Sequence, residues 1–333
     1  NKLETIVDRF EKLGKSTGVI STVPISNATP AAFVAHNPNR HAYQEIAEEM
    51  IMESKVDVIM GGGHPFYTPD GNLVDEVAER YIGMKELWDL ENDGELFDTE
   101  DGKLLPESKY RYVGGKDVWN MLINQNAGND SDGISDHWTF IQDRESFQTY
   151  MTGETPKRLI GIFKSGQASQ VERDTTNENW TPFSVPYRNS IPTLEEMTLA
   201  AINVLDENKK GFFLMAEGGA VDWAAHSNFL NRTIEEQIDF NLAVEAACKW
   251  VEENSSWDET LIIVTADHET GYLMGPNSNS PDAENIEDKW KPIINNGKGK
   301  MPTVEWFSGS HTNLLVPFYA KGIGSELFLK SIK

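Results

Sequence analysis

An α/β fold built around a mainly parallel sheet is the architecture that the sequence predicts. Short apolar runs stop abruptly at glycine-rich or polar loops, as buried parallel strands do. Amphipathic segments lie between these runs, and the alternation of strands and helices is typical of layered α/β domains. The polar residues of chemical interest follow the apolar runs, and open α/β sheets bind ligands at the carboxyl ends of their strands.

Five apolar runs are predicted to be strands. In chain order they cover residues 17–22, 56–60, 212–216, 261–266 and 314–320. The second run ends in three glycines, the third in Glu-Gly-Gly and the fourth in Asp-His-Glu.

Three segments are predicted to be helices, at residues 40–54, 194–208 and 233–253. The second follows Thr193, a plausible N-cap. The third has apolar residues at four-residue steps, which predicts one buried stripe. The stripe consists of Ile234, Ile238, Leu242, Ala246 and Trp250. The stretch from about 65 to 192 is less regular and is predicted to hold excursions from the sheet.

The charge balance restricts the classes of partner. The chain has 53 acidic and 29 basic residues, a net charge of −24, which argues against a nucleic-acid-binding surface. An enzyme of this charge that acts on anionic substrates needs local positive charge from metal ions or a placed arginine. No apolar run approaches the roughly 20 residues that span a bilayer, so no membrane segment is predicted. Cys248 is the one cysteine, so the cysteine count leaves the compartment open.

The first polar cluster follows the run at 212–216 and contains Glu217, Asp222 and His226. Asp222 and His226 are four positions apart, so a helical turn places them on one face. A carboxylate oxygen and an imidazole nitrogen on one face are ligands that zinc accepts, whereas Glu217 supplies the hard oxygen that magnesium prefers. The alternative is an ordinary surface pair, because Asp-x-x-x-His alone is a weak motif.

Two further clusters contain histidine. Asp267 and His268 follow the run at 261–266, and burying both is costly unless a metal or a partner satisfies them. The alternative for this pair is a hydrogen bond between the two side chains at a strand end. His311 lies in a Ser-Gly-Ser-His-Thr loop before the last predicted strand. Alone it is an ordinary loop histidine, but with the other clusters it completes two carboxylates and three histidines for two metals.

The fourth cluster lies near the N-terminus. Thr29 is followed by Pro30, which predicts a helix N-cap with proline at the first helical position. Arg40 lies eleven residues beyond Thr29. Its guanidinium is suited to bind phosphate through two parallel hydrogen bonds.

In this order, the four clusters closely resemble the alkaline phosphatase family, from the STVPISNATPAAFVAH stretch to GSHTNLLVPFYAKG. The resemblance implies a three-layer α/β/α sandwich around a large, mainly parallel central sheet. It also implies that residues 1–333 form a single alkaline phosphatase-like domain, incomplete at the N-terminus. The implied reaction converts phosphate monoesters to an alcohol and inorganic phosphate through a phosphoserine intermediate.

The resemblance also implies the cofactors and their ligands. Asp222, His226 and His311 are implied to hold one zinc ion, Asp267 and His268 a second zinc ion, and Thr29 and Glu217 a magnesium ion. Arg40 matches the arginine that binds the substrate phosphate. The family habit further implies a homodimer that is periplasmic or secreted and acts on small phosphate monoesters.

The sequence departs from the family pattern at several positions. The nucleophilic serine, in an Asp-Ser-Ala-Ala type motif, is absent, and the nearest string, DSDG at 130–133, lacks the small residues. An early metal-bridging aspartate is also absent. We expect both upstream of Asn1, so residues 1–333 alone are expected to be inactive and poorly stable. Asn27 stands where relatives have Asp or His, and Trp223 follows Asp222, so both adjoin metal ligands.

Two alternatives of different function remain at this point. A phosphodiesterase or sulfatase of the same superfamily would share the metals but act on another ester. An inactive metal-binding fragment would keep the ligands without the nucleophile. The Thr29 and Glu217 magnesium pair favours the monoesterase.

Overall fold

The computed structural model describes residues 2–73, 108–128, 136–173, 181–279 and 289–331. The chain divides into two compact units. The first unit comprises Asn1–Ala220 and Ile238–Ala246, and the second comprises Val221–Gln237 and Ala247–Lys333. The single domain over residues 1–333 stays a prediction. No helix in the described ranges combines the length and the apolar character needed to cross a membrane.

A five-stranded sheet forms the centre of the first unit. Its strands are β1 (Ser16–Pro24), β2 (Val58–Gly62), β3 (Thr139–Ile141), β4 (Leu159–Ile162) and β5 (Phe212–Glu217). Their order is β3-β4-β2-β1-β5, and every neighbouring pair is parallel. The predicted strands at 17–22, 56–60 and 212–216 correspond to β1, β2 and β5. The stretch 65–192, predicted to leave the sheet, instead supplies β3 and β4.

Helices cover both faces of this sheet. Those of the first unit are α1 (Ile6–Lys12), α2 (Ala28–Val34), α3 (Tyr43–Glu48, continued by a π-helical turn Glu49–Glu53), a 3-10 helix (Ser108–Val113), α4 (Gly115–Ile123), α5 (Arg144–Thr149) and α6 (Leu194–Leu205). Successive strand residues point to opposite faces. Val19 and Ile59 therefore belong to a core with α1–α4, whereas Ile20 and Met60 belong to a core with α5 and α6. This arrangement is the predicted three-layer α/β/α architecture.

The start of α6 is fixed by three acceptors. Thr193 is the N-cap, as predicted, and Thr193 and Glu196 form a capping box. Asp239 accepts a hydrogen bond from the backbone N–H of Leu194 at 3.2 Å. Burial raises the pKa of the Asp239 carboxyl to about 6, and the carboxylates of Glu195 and Glu196 act in the same direction.

We expect Asp239→Asn to change how stability depends on pH. Because the pKa of Asp239 is raised on folding from 3.8 to about 6, the folded state holds the proton more tightly, and stability falls as pH rises between these values. Asparagine keeps an acceptor for Leu194 without this ionisation. We measure the free energy of unfolding of both proteins in urea between pH 4 and pH 7. Over this range the wild type should lose about 2 kcal/mol relative to Asp239→Asn. Exposed Asp258→Asn is the matched control, and parallel pH profiles of the wild type and Asp239→Asn would contradict this expectation.

The second unit contains three two-stranded antiparallel pairs. β6 (Leu261–Val264) pairs with β11 (Tyr319–Gly322), β7 (Glu269–Thr270) with β10 (His311–Thr312), and β8 (Leu273–Met274) with β9 (Glu305–Trp306). The prediction that 261–266 and 314–320 are buried parallel strands is therefore wrong. Within these two runs, only the residues that belong to β6 and β11 are in strands, and the two strands pair antiparallel. They are also not buried, because Ile263 and Tyr319 are exposed. A continuous apolar run indicates a strand but not the partner beside it.

The remaining described elements are α7 (Ala220–His226), α8 (Leu230–Asn254) and a 3-10 helix (Ser325–Ser331). The buried stripe predicted for α8 is wrong at Ile238 and Leu242, which are 38% and 44% exposed, whereas Ala246 is buried as predicted. The buried residues of α8 are Arg232, Glu235, Glu236, Asp239, Ala243, Ala246 and Val251. The side chain of Asp239 reaches the start of α6, and Ala243 belongs to the core around that helix. The inward face of α8 is therefore partly charged, and Arg232 and Glu235 on it form a buried ion pair.

Candidate metal centre

Three side chains with metal-ligand atoms converge in the second unit. The turn of α7 places Asp222 and His226 on one face, and β10 begins with His311. The Nε2 atoms of His226 and His311 lie 2.9 Å apart, and Asp222 Oδ1 lies 3.5 Å from each of them. This is the one group of three possible ligands found in the described part of the chain.

The spacing and chemistry of this group suit zinc. Tetrahedral zinc with bonds of about 2.0–2.2 Å places neighbouring ligand atoms roughly 3.3–3.5 Å apart, close to the observed distances. His226 Nδ1 lies 2.9 Å from the carbonyl oxygen of Gly309. A carbonyl only accepts, so Nδ1 is assigned the proton and Nε2 keeps its lone pair for a metal. Burial, followed by the charge of His268, lowers the pKa of His311 and favours the neutral, metal-binding imidazole.

Asp267 and His268 lie beside this group. Asp267 Oδ2 is 3.4 Å from His268 Nε2. The His268 ring stacks on the His311 ring with centroids 3.5 Å apart and planes at 23°. All five predicted zinc ligands therefore belong to one neighbourhood of the second unit.

Thr270 connects the two predicted ligand sets, and sequence reasoning missed it. Its hydroxyl donates to Asp222 Oδ1 at 2.5 Å and lies 3.2 Å from His268 Nδ1. A hydroxyl that donates to the carboxylate accepts from Nδ1–H, which leaves His268 Nε2 unprotonated. The signal was available, because residues two apart on an extended segment point the same way, and Thr270 follows His268 by two.

Backbone hydrogen bonds from Gly271 hold the loop that precedes His311. Its N–H donates to the Ser310 carbonyl oxygen at 3.1 Å, and its carbonyl accepts from the N–H groups of Phe307 and Ser308. Its φ is +89°, and an added Cβ would lie 2.4 Å from the Trp306 ring. Only glycine combines this left-handed backbone with so close an approach.

The predicted magnesium ligands lie in the first unit. Glu217 ends β5, and its Oε2 accepts a hydrogen bond from Ser21 Oγ on the adjacent strand β1. Thr29 lies in the first turn of α2, and its side chain makes no hydrogen bond to Glu217 or to another described residue. The prediction of Thr29 as N-cap is wrong, because Asn27 is the N-cap and its Oδ1 accepts from the Ala28 N–H at 2.8 Å. The helix therefore begins two residues earlier than predicted.

The other predicted site residues are placed as follows. Arg40 is exposed in the turn before α3 and makes no hydrogen bond or ion pair within the described ranges. Trp223 lies on α7 between Asp222 and His226. The DSDG string at 130–133 lies outside the described residues.

Comparison with known proteins decides the family. The family model described as alkaline phosphatase matches residues 1–313. The chain belongs to the alkaline phosphatase family. The resemblance inferred from the four polar clusters is thereby confirmed.

Curated alkaline phosphatases align at low identity. Alkaline phosphatase 4 of Bacillus subtilis (strain 168) is 28% identical over 284 residues, which cover 83% of this chain and 45% of the relative. Alkaline phosphatase 3 of the same bacterium is 25% identical over 391 residues, covering 100% of this chain and 68% of the relative. The chain thus spans less than half the length of the first of these alkaline phosphatases.

Solved alkaline phosphatases share the fold. The enzyme from the Antarctic bacterium TAB5 superposes with a TM-score of 0.58 at 24% identity, covering 98% of this chain and 70% of that one. The cold-active enzyme from a psychrophilic Shewanella gives a TM-score of 0.59 at 22% identity, covering 98% and 74%. The predicted α/β fold is confirmed by the sheet and by these likenesses.

We expect Thr270→Val to weaken zinc binding by about 10–100-fold, the usual cost of losing a residue that orients a metal ligand. Valine keeps the shape of threonine but orients neither Asp222 nor His268. Thr270→Ser restores the hydroxyl and should stay within about threefold of the wild type. Zinc affinity of the full-length protein is measured by competition with a chromogenic chelator, with Thr265→Val as control. Zinc affinity of Thr270→Val equal to that of the wild type would remove Thr270 from this role.

Proposed function

We propose that this alkaline phosphatase family member hydrolyses phosphate monoesters to an alcohol and inorganic phosphate with two zinc ions and one magnesium ion. The observation that carries the proposal is the convergence of Asp222, His226 and His311, whose ligand atoms lie 2.9–3.5 Å apart. A carboxylate with two imidazoles is a ligand set typical of catalytic zinc, which keeps one position open.

The proposed metal assignment follows the chemistry of the donors. Zinc accepts imidazole and carboxylate together, which supports one zinc at Asp222, His226 and His311 and a second at Asp267 and His268. Magnesium prefers hard oxygen ligands, which supports the assignment of Thr29 and Glu217. A solved form of the TAB5 enzyme holds magnesium. Asn27 and Trp223 each adjoin one of these ligands in sequence, and we propose that they adjust the surroundings of the metals.

The side chains of this sequence perform separate tasks in the proposed reaction. Divalent ions at such a site polarise phosphoryl oxygens and lower the pKa of a bound water. Arg40 binds the phosphate oxygens through its planar fork and neutralises their charge. Thr270 and the Gly309 carbonyl orient the zinc ligands. The phosphoryl acceptor is proposed to be a serine, and we assign that role to none of the serines in this sequence.

Because the net charge is −24, binding of an anionic ester requires a local source of positive charge. At that charge the protein as a whole repels an anionic ester, and only nearby cations reverse the local field. Arg40 and the proposed metals supply these cations. We also propose that the protein is a homodimer, periplasmic or secreted, as in the family it belongs to.

The full-length protein, purified without chelator, tests this function with three aryl esters. We expect it to hydrolyse an aryl phosphate, to lose that activity in EDTA, and to recover it with zinc and magnesium. Bis-aryl phosphate and aryl sulfate should react far more slowly. Preferential hydrolysis of the diester or the sulfate would identify one of the sibling activities instead. Zinc binding without hydrolysis of any ester would indicate the inactive metal-binding alternative.

A further inference from the structure

A guanidinium lies against two tyrosine rings in the first unit. The guanidinium carbon of Arg111, on the 3-10 helix Ser108–Val113, is 4.4 Å from the centroid of the Tyr112 ring and 5.5 Å from that of Tyr43. The two rings are 5.1 Å apart at an angle of 64°. Arg111 Nη2 also donates to the Tyr112 hydroxyl at 2.6 Å. The side chain is therefore held in one orientation before any ligand arrives.

This guanidinium has no acidic partner in the described ranges. Among the described residues, its hydrogen-bond and cation–π partners are the two tyrosine rings and the one phenol oxygen. A guanidinium has five N–H donors, so most of them remain for a ligand. In a chain with 53 acidic residues, an ordered arginine that pairs with none of those described is an unused cation. Its planar fork matches the oxygens of a carboxylate or a phosphate.

The cluster lies at the carboxyl end of the sheet. Tyr112 packs on Gly63, the residue after β2, where an added Cβ would lie 2.5 Å from Tyr112 Cβ. The Tyr112 hydroxyl is 3.5 Å from the side-chain oxygen of Gln167, in the loop after β4. β2 and β4 are adjacent parallel strands, and ligands of open α/β sheets bind at this edge.

The cluster is also close in the chain to Arg40. Tyr43 begins α3 three residues after Arg40, and three residues span at most about 11 Å. The Tyr43 ring lies edge-on to the ring of His41 at 6.2 Å. Arg40 likewise has no acidic partner among the described residues. Two guanidinium groups, those of Arg40 and Arg111, therefore lie near the start of α3 without an acidic partner among the described residues.

We propose that Tyr43, Arg111 and Tyr112 form a subsite for a second anionic group on the substrate. The substrate class is a phosphate monoester whose alcohol portion carries a carboxylate or another phosphate. Arg40 binds the reacting phosphate, and Arg111 binds the second anion against the tyrosine rings. This proposal rests on the proposed function, because it places the reacting phosphate at Arg40.

Equilibrium binding of two phosphonates tests the subsite without turnover. Phenylphosphonate and its 4-carboxy derivative are titrated calorimetrically into the full-length, metal-loaded protein. We expect the carboxylate to tighten binding to the wild type by about tenfold, the effect of one charge-assisted pair. Arg111→Gln should abolish this gain and leave phenylphosphonate affinity within about twofold. Tyr112→Phe, which removes only the phenol, should reduce the gain partially.

Lys116→Gln, which changes the same charge at an exposed position on α4, is the matched control and should keep the tenfold gain. A thermal melt of each variant identifies any loss of fold. The subsite is contradicted if Arg111→Gln, folded, retains the gain or weakens both phosphonates equally, or if the wild type shows no gain. Failure of phenylphosphonate to bind the wild type at all would contradict the proposed function, and the subsite with it.

Discussion

His311→Ala in the full-length protein is expected to lower turnover of an aryl phosphate by about a thousandfold and to remove one equivalent of tightly bound zinc. The His311 Nε2 atom lies 2.9 Å from His226 Nε2 and 3.5 Å from Asp222 Oδ1, so this substitution removes one of the three proposed ligands of one zinc ion. Charge stabilisation by a metal contributes several kcal/mol to a transition state, and each 1.4 kcal/mol is tenfold in rate. Zinc content is measured by mass spectrometry after dialysis, alongside steady-state kinetics.

His137→Ala is the control for His311→Ala, because His137 is exposed and belongs to the first unit. It should keep the zinc content and turnover of the wild type. If His311→Ala also keeps both, His311 is no metal ligand. The close approach of its ring to those of His226 and His268 would then have only a structural role.

Arg40→Ala is expected to lower kcat/KM for an aryl phosphate by about 100- to 1000-fold. Two charge-assisted hydrogen bonds to phosphate contribute roughly 3–4 kcal/mol, which corresponds to that range. Inhibition by inorganic phosphate should weaken in parallel. The melting temperature should stay unchanged, because Arg40 is exposed and makes no hydrogen bond within the described ranges.

Arg40→Lys should retain an intermediate activity, since lysine keeps the charge but loses the planar fork. Arg9→Ala is the control, because Arg9 is exposed on α1 and its loss removes a positive charge at a position distant in sequence from Arg40. Arg40→Ala with wild-type kcat/KM and wild-type inhibition by phosphate would contradict the phosphate-binding role. A large fall in melting temperature would instead assign Arg40 a structural role.

The sequence predicted the elements whose signal is local and continuous. β2 and β5 are apolar runs that end at glycine and at an acidic residue, β1 is rich in β-branched residues, and α6 starts at a capping box. β3 and β4 were missed because three and four residues are too short for a periodic pattern. The antiparallel pairing of β6 with β11 depends on contacts distant in sequence, which apolar runs do not encode.

In the site, too, residues close in sequence were predictable from their spacing, and residues distant in sequence were not. Asp222 and His226 were predictable because one helical turn aligns them, whereas His311 joins them only through the pairing of β10 with β7. Resemblance to a family, not spacing, supplied that third ligand. The contacts of Arg111 require a 3-10 helix packed beside α3, for which the sequence offers no periodic signal.

Anomalous X-ray scattering at the zinc edge, from crystals of the full-length protein grown without chelator, locates bound zinc directly. We expect a zinc peak about 2.0–2.2 Å from the Nε2 atoms of His226 and His311 and from a carboxylate oxygen of Asp222. Zinc bound elsewhere, with these three side chains joined only by hydrogen bonds, would contradict this assignment of the zinc ligands.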